Sequence, residues 1–289
     1  MLDCSKKYMR KSLEIALLGA SLLPIFSLNA YGAEKDPSRL SIDTLFSMST
    51  HSEKAATNEK KGSNFKLVES ASYKLNNSLD MILKLEAERT SQSIYGGNGN
   101  KAGEDNATAL DLSVPIGCNF GEKIYSLRAG PVVYLTFANA KQDIITTDYQ
   151  RTAYGLEFGG SVSKSLGRLS LLGDVYFRRA FLGDYSSKAR INLPTSAITV
   201  DNKGKSPGSE LGVSLGGNFR KGDFMIKYKD ESRRNPAVQN IKEIETRVGY
   251  RIFEHLGLFV KHKIGKVESQ NIKIDVNELG GGLEIPFLR

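Results

Sequence analysis

Strict two-residue alternation constrains this chain more than any other feature. From Leu79 to Glu88 the apolar side chains Leu79, Met81, Leu83, Leu85 and Ala87 fall on one side, and Asp80, Ile82, Lys84, Glu86 and Glu88 on the other. A strand sends successive side chains to opposite faces, whereas a helix would scatter both sets around its axis. The pattern recurs in twelve segments, roughly residues 38–50, 64–75, 79–90, 107–118, 123–138, 149–163, 168–181, 209–220, 223–231, 240–252, 256–266 and 272–287. Periodicity of 3.6 residues is almost absent, so an all-β fold is expected.

The connections sharpen that expectation. Those after every second segment are short, as in Asn76-Asn77-Ser78 and Lys221-Gly222, while the others are longer and polar, as at residues 51–63, 91–106 and 182–208. Tight turns at one end, long loops at the other and an even strand count belong to a transmembrane antiparallel up-and-down barrel. About twelve strands are expected, within a range of ten to fourteen, with both termini on the periplasmic side. Beyond the first 32 residues no stretch of 18 or more apolar residues occurs, and a closed barrel is the other backbone that satisfies its own hydrogen bonds in lipid. One face of the segments carries Leu110, Leu112, Tyr154, Leu156, Phe158, Leu211, Val213, Leu215, Val248 and Tyr250. Aromatics recur near segment ends on that face, at Phe65, Tyr73, Tyr125, Phe137, Phe177, Phe224 and Phe287, where interfacial girdles would place them. In the last segment Leu279, Gly281, Leu283, Ile285 and Phe287 are out of phase with Ile272, Ile274 and Val276, and a bulge near Asn277-Glu278 would reconcile the two.

Residues 1–32 read differently. Lys6, Lys7, Arg10 and Lys11 precede an apolar stretch from Ser12 to Leu28, followed by the small residues of Ala30-Tyr31-Gly32. That order is a cleavable secretory signal peptide, leaving residues 33–289 as the barrel. Cys118 is then the single remaining cysteine, so no internal disulfide is expected. His51, His255 and His262 are not spaced as metal ligands, and neither a metal nor a cofactor is expected. The net charge of +8 is spread along the 289 residues rather than gathered in a patch, which argues against nucleic-acid binding.

With the apolar face toward lipid, the other face lines a lumen. Lys227, Lys229, Arg247, Arg251, Lys261 and Lys263, with Arg128, form a candidate basic wall; Glu86, Glu88 and Asp111 form an acidic wall about half a circumference away. Such walls select ions, and the basic excess, which includes Arg151 and Arg178, implies modest anion preference. The opposing expectation is that these charges pair and plug the barrel, with Glu243 and Glu245 neutralising Arg247 and Arg251.

The chain resembles small monomeric outer-membrane porins. Through its strand count and its basic segments MIKYKDESRR, ETRVGYRI and LFVKHKIGK, it is weakly similar to the twelve-stranded oligogalacturonate-specific porin family. That resemblance implies passage of acidic oligosaccharides, with Lys227, Lys229, Arg247, Arg251, Lys261 and Lys263 lining the pore. The chain departs from the family in its acidic third segment and its lack of tryptophan. The expected function is a channel for small, chiefly anionic hydrophilic solutes in a Gram-negative outer membrane. Two alternatives stand beside it: a non-conducting anchor or adhesin acting through its loops, and a membrane lipid-modifying enzyme. His262 on the lipid face, Ser165, Ser269, Asp148 and Asp184 are the polar groups an enzyme would have to use, and no spacing joins them into a catalytic set. Expected partners are outer-membrane lipid, lipopolysaccharide and small anionic solutes; in the charged segment 230–236, Arg233 and Arg234 suit lipopolysaccharide phosphates, although a plain hydrophilic loop is the favoured reading there. Barrel closure removes sheet edges, so the fold does not require an oligomer.

Overall fold

A computed structural model describes residues 40–55, 58–120, 124–194, 196–235, 237–253, 256–269 and 272–288; the segment 1–32 expected to be a signal peptide, residues 33–39 and His255 lie outside them. Fourteen strand segments follow in order: β1 (Leu40–Lys54), β2 (Glu59–Lys74), β3 (Leu79–Tyr95), β4 (Lys101–Ser113), β5 (Ile116–Phe120), β6 (Tyr125–Gln142), β7 (Ile145–Leu166), β8 (Leu169–Asn192), β9 (Ala197–Lys205), β10 (Gly208–Phe219), β11 (Gly222–Asn235), β12 (Ala237–Phe253), β13 (Leu256–Ser269) and β14 (Ile272–Leu288). Each pairs antiparallel with its neighbours, and β14 pairs with β1 to close the ring.

The closed barrel has twelve strands, because two of them are interrupted. β4 and β5 lie end to end between β3 and β6, broken at Val114-Pro115. β9 and β10 lie end to end along β8, broken at Ser206-Pro207. Proline has no N–H for the ladder, so a strand crossing it must bend or break. The backbone accommodates both breaks: the Val114 N–H donates to the Pro131 carbonyl at 3.1 Å and the Ser206 N–H to the Gly183 carbonyl at 3.0 Å.

The tight turns are set by local chemistry. Asn76 Oδ1 accepts from the N–H groups of Ser78 (2.8 Å) and Leu79 (2.9 Å), an Asx turn that starts β3. Gly167 takes a positive φ of 63° between β7 and β8, a conformation costly for residues with a Cβ. These turns share one rim with the start of β1 and the end of β14.

The outer face is apolar around the ring. Met48, Phe65, Leu127, Phe158, Val175, Leu215, Val248, Val260 and Leu283 are all exposed there. A soluble protein does not expose so continuous an apolar surface, whereas a barrel in lipid must. No helix among the described residues is long and apolar enough to cross a membrane.

Three sequence expectations require correction. Residues 182–208 are not a loop. They include the upper half of β8 and β9, paired from Asp184↔Lys205 to Asn192↔Ala197, and the Leu193 N–H donates to the Ser196 carbonyl at 2.8 Å between them. Likewise β1 and β2 run to Lys54 and Glu59, β3 and β4 to Tyr95 and Lys101, and β6 and β7 to Gln142 and Ile145, so the expected long loops are mostly paired backbone. Their polar sequences mark strands that have left the lipid. There the polarity inverts: Ile145, Ile191 and Ile198 share a register on the inward face, and Asp148, Lys188 and Asp201 share one on the outward face. Finally, no bulge occurs near Asn277-Glu278. β13 and β14 pair without a shift from Gly257↔Glu284 to Ser269↔Ile272, so Ile274 and Val276 face inward, Val276 at 6% exposure.

Candidate functional site

The barrel interior is lined by charge, and most of the charges on the described residues are paired. Glu278 on β14 is the most enclosed of them, at 0% exposure. Lys261 and Lys263 of β13 approach it at 2.6 and 2.8 Å, the Ser49 hydroxyl of β1 donates to it at 2.5 Å, and the Asn64 amide of β2 donates at 3.2 Å. His51 Nδ1 lies 3.6 Å away. Asn64 also donates to Glu88 of β3 at 2.5 Å, so one amide ties a member of the acidic set to the two basic residues of β13 through Glu278.

A second cluster occupies β6 to β10. Arg128 holds Glu157 at 3.0 Å and Asp174 at 2.5 Å, the latter through both terminal nitrogens. Arg178 donates to Glu157 at 2.7 Å and lies 3.8 Å from Glu210, which accepts from the Tyr176 hydroxyl at 2.6 Å. The Arg178 guanidinium sits 4.8 Å over the Tyr176 ring, and Arg151 donates to Ser206 at 2.8 Å. A third cluster joins Lys229 to Glu231 and Glu243, both at 3.2 Å, with Arg233 against Glu231. Elsewhere Arg247 pairs with Glu284 and lies 3.5 Å from Asp223, and Lys66 pairs with Glu86 at 2.6 Å.

All the sequence-derived lumen residues with described side chains thus lie on the inward face, but they are not two bare walls. Arg128, Lys229, Arg247, Lys261 and Lys263 each hold a carboxylate. The acids come from neighbouring strands or from one strand further on, as Glu284 of β14 does for Arg247 of β12, and of these only Glu243 was anticipated on the basic wall. Glu243 neutralises Lys229 and Lys263 rather than Arg247. Lys227 makes no ion pair among the described residues; its ammonium lies 5.5 Å over the Tyr176 ring. Arg251 likewise holds no ion pair there. Across the lumen, Glu86 is within electrostatic range of Lys227, whose strand β11 is diametrically opposite β3 in the ring. Asp111 is within range of Arg178, Glu210 and Glu231.

The interior is also dense. Lys261 is 4%, Glu157 3% and Arg178 6% exposed, although none packs against another layer of protein. A wide aqueous bore would leave inward side chains wetted. Eight strands leave a lumen just filled by side chains and sixteen leave an open channel; these long arginines, lysines and tyrosines fill the intermediate bore of twelve.

Sequence reasoning missed Asn64, Tyr134, Tyr176, Glu157, Glu210 and Glu278. Glu157 sits between the outward-facing Leu156 and Phe158, and Glu210 and Glu278 each precede an outward-facing leucine, Leu211 and Leu279; an acid at that phase was the available signal. The enzyme candidates do not assemble: His262 faces outward and meets Asn277 Oδ1 at 3.0 Å, and Ser165 lies 3.4 Å from Ser170. No group of three metal-binding side chains occurs among the described residues.

Comparison with known proteins supports the fold. No protein-family model matches the sequence, and neither does any curated protein. Among solved structures, the translocator domain of the autotransporter NalP from Neisseria meningitidis is similar with a TM-score of 0.56 and 11% identity, covering 95% of this chain and 98% of that one. An outer-membrane channel from Pseudomonas putida F1 matches at 0.53 and 11%, covering 86% and 96%, and the toluene transporter TbuX from Ralstonia pickettii at 0.51 and 10%, covering 86% and 90%. All are outer-membrane β-barrels, and at these identities the likeness is one of fold.

Proposed function

We propose that this chain is a narrow channel of a Gram-negative outer membrane, exported by its signal peptide and held nearly shut at rest by the ion pairs in its lumen. The carrying observation is the combination of an apolar exterior with an interior in which most of the charge is paired. An anchor needs no such interior, because apolar packing would hold a closed barrel at lower desolvation cost. A charged lumen is useful where ions and polar solutes pass. The density favours small ions and small hydrophilic molecules over acidic oligosaccharides. Anion preference rests on Lys227 and Arg251, the two cations of the basic set without an ion pair among the described residues.

A second reading, of a surface anchor or adhesin, draws on the β7–β8–β9 extension. Among the described residues β9 is bonded on one side only, to β8, and Ile198 and Val200 stand exposed at 51% and 54% beside that free edge. An unpaired edge with apolar neighbours is a usual place for an extended chain to dock.

Solute flux into liposomes separates the two. The channel reading expects slow entry of chloride and a small monosaccharide, exclusion of an acidic trisaccharide, and a reversal potential that moves toward cation preference when Lys227 and Arg251 are both replaced by Gln. A correctly folded barrel that admits none of these would transfer the assignment to the anchor.

A further inference from the structure

A cleft of about 330 Å³ opens in the barrel wall where β10 gives way to β9 at Pro207. Its outer rim is a row of side chains in one register: Arg179 of β8 is opposite Ser209 of β10, which is opposite Ser232 of β11. In the row beneath, Phe177 is opposite Leu211, both exposed at 41%. Pro207 and Gly208 line it at the break between the two strands.

Arg179 is the anomaly of this surface. It is exposed on the face that meets lipid, with Phe177 below it and Phe181 (53% exposed) and Leu182 (61%) above it on β8. On β7 it is opposite Leu156. The described residues offer it no ion pair. Arg233, also at the cleft, turns inward, where its Nε lies 3.3 Å from Glu231. Asp230, the outward acid one row lower, accepts from Tyr228 at 3.2 Å and lies 4.0 Å from Lys242. An arginine on the lipid face is costly unless an anion meets it, and its guanidinium suits bidentate contact with phosphate.

We infer that the cleft binds the phosphorylated headgroup of an outer-leaflet lipid, the phosphate held by Arg179 with the hydroxyls of Ser209 and Ser232, and an acyl chain lying on Phe177 and Leu211. The two hydroxyls complete the donor set, and the apolar row below continues into the membrane belt, which a free phosphate would have no use for. The site is on the outside of the wall and is independent of conduction.

The test is native mass spectrometry of the full chain, extracted from outer membranes in mild detergent and titrated with diphosphoryl lipid A. Arg179→Ala should weaken binding at least roughly tenfold, as expected for loss of a charge-assisted contact. Arg179→Lys should retain part of it, and Arg89→Ala, an exposed cation on β3, should leave it unchanged. Heat-modifiable migration on gels verifies that each variant is folded. Equal binding by wild type and Arg179→Ala overturns the inference. So does full competition by millimolar inorganic phosphate, which would make this a free-phosphate site.

Discussion

Glu278 shows how much of this structure rests on single residues. Two lysines, a serine and an asparagine from three strands converge on one carboxylate with no exposure. Deleting one partner of a buried pair leaves the other charge uncompensated. Glu278→Ala should therefore cost roughly 3–5 kcal/mol, whereas Glu278→Met combined with Lys261→Met should cost less, because one lysine leaves with the carboxylate and Lys263 keeps Glu243 at 3.8 Å. Urea unfolding of the barrel in detergent micelles, followed by tyrosine fluorescence, measures the difference; equal losses would show that the pair is not the unit. Gly282 is the comparable position in the backbone. A Cβ there would collide with the Phe46 carbonyl and come within 2.6 Å of the Phe259 ring, at the seam where β14 meets β1. Gly282→Val should block closure, seen as loss of the heat-modifiable band. The inward phase of Lys261 and Glu88 was legible from alternation alone. Their mutual connection was not, since it passes through Asn64, a residue whose polarity in a strand says nothing about its partners.

At the scale of elements, the sequence marked where strands cross the lipid and understated how far they continue. Inside the membrane the apolar residues face out and produce clear alternation. Above it, Ile145, Ile191 and Ile198 face in while Asp148, Lys188 and Asp201 face water, so the phase reverses and the segment reads as a polar loop. Pro207 deepened that impression, although it interrupts a strand without ending it. The extension packs on nothing below it that closes the ring. Excising residues 186–203 and joining the ends by a short Asn-Gly turn should leave a folded barrel, with an unfolding midpoint close to wild type. A collapse to unfolded protein would mean that the extension templates β10 against β8. The same geometry predicts labelling: in intact cells, an impermeant amine reagent should modify Lys188 and Lys203 but not Lys164 or Lys221 at the turn rim.

For the whole molecule, alternation and the requirement that backbone groups be satisfied in lipid were enough to reach a twelve-stranded closed barrel. The interior was less legible. Which charges pair depends on register between strands far apart in sequence, and Arg247 with Glu284 or Arg128 with Asp174 each skip an intervening strand. The result is a lumen in which charge has become packing, and we propose that these pairs keep a narrow channel closed. Single-channel recording in planar bilayers tests it most directly, comparing wild type with the paired variant Lys261→Met and Glu278→Ser, which removes both charges and shortens one of the two side chains. The account predicts small, infrequent openings for wild type and at least severalfold greater conductance for the variant. Large, stable wild-type conductance, or a folded variant as silent as its parent, would contradict it.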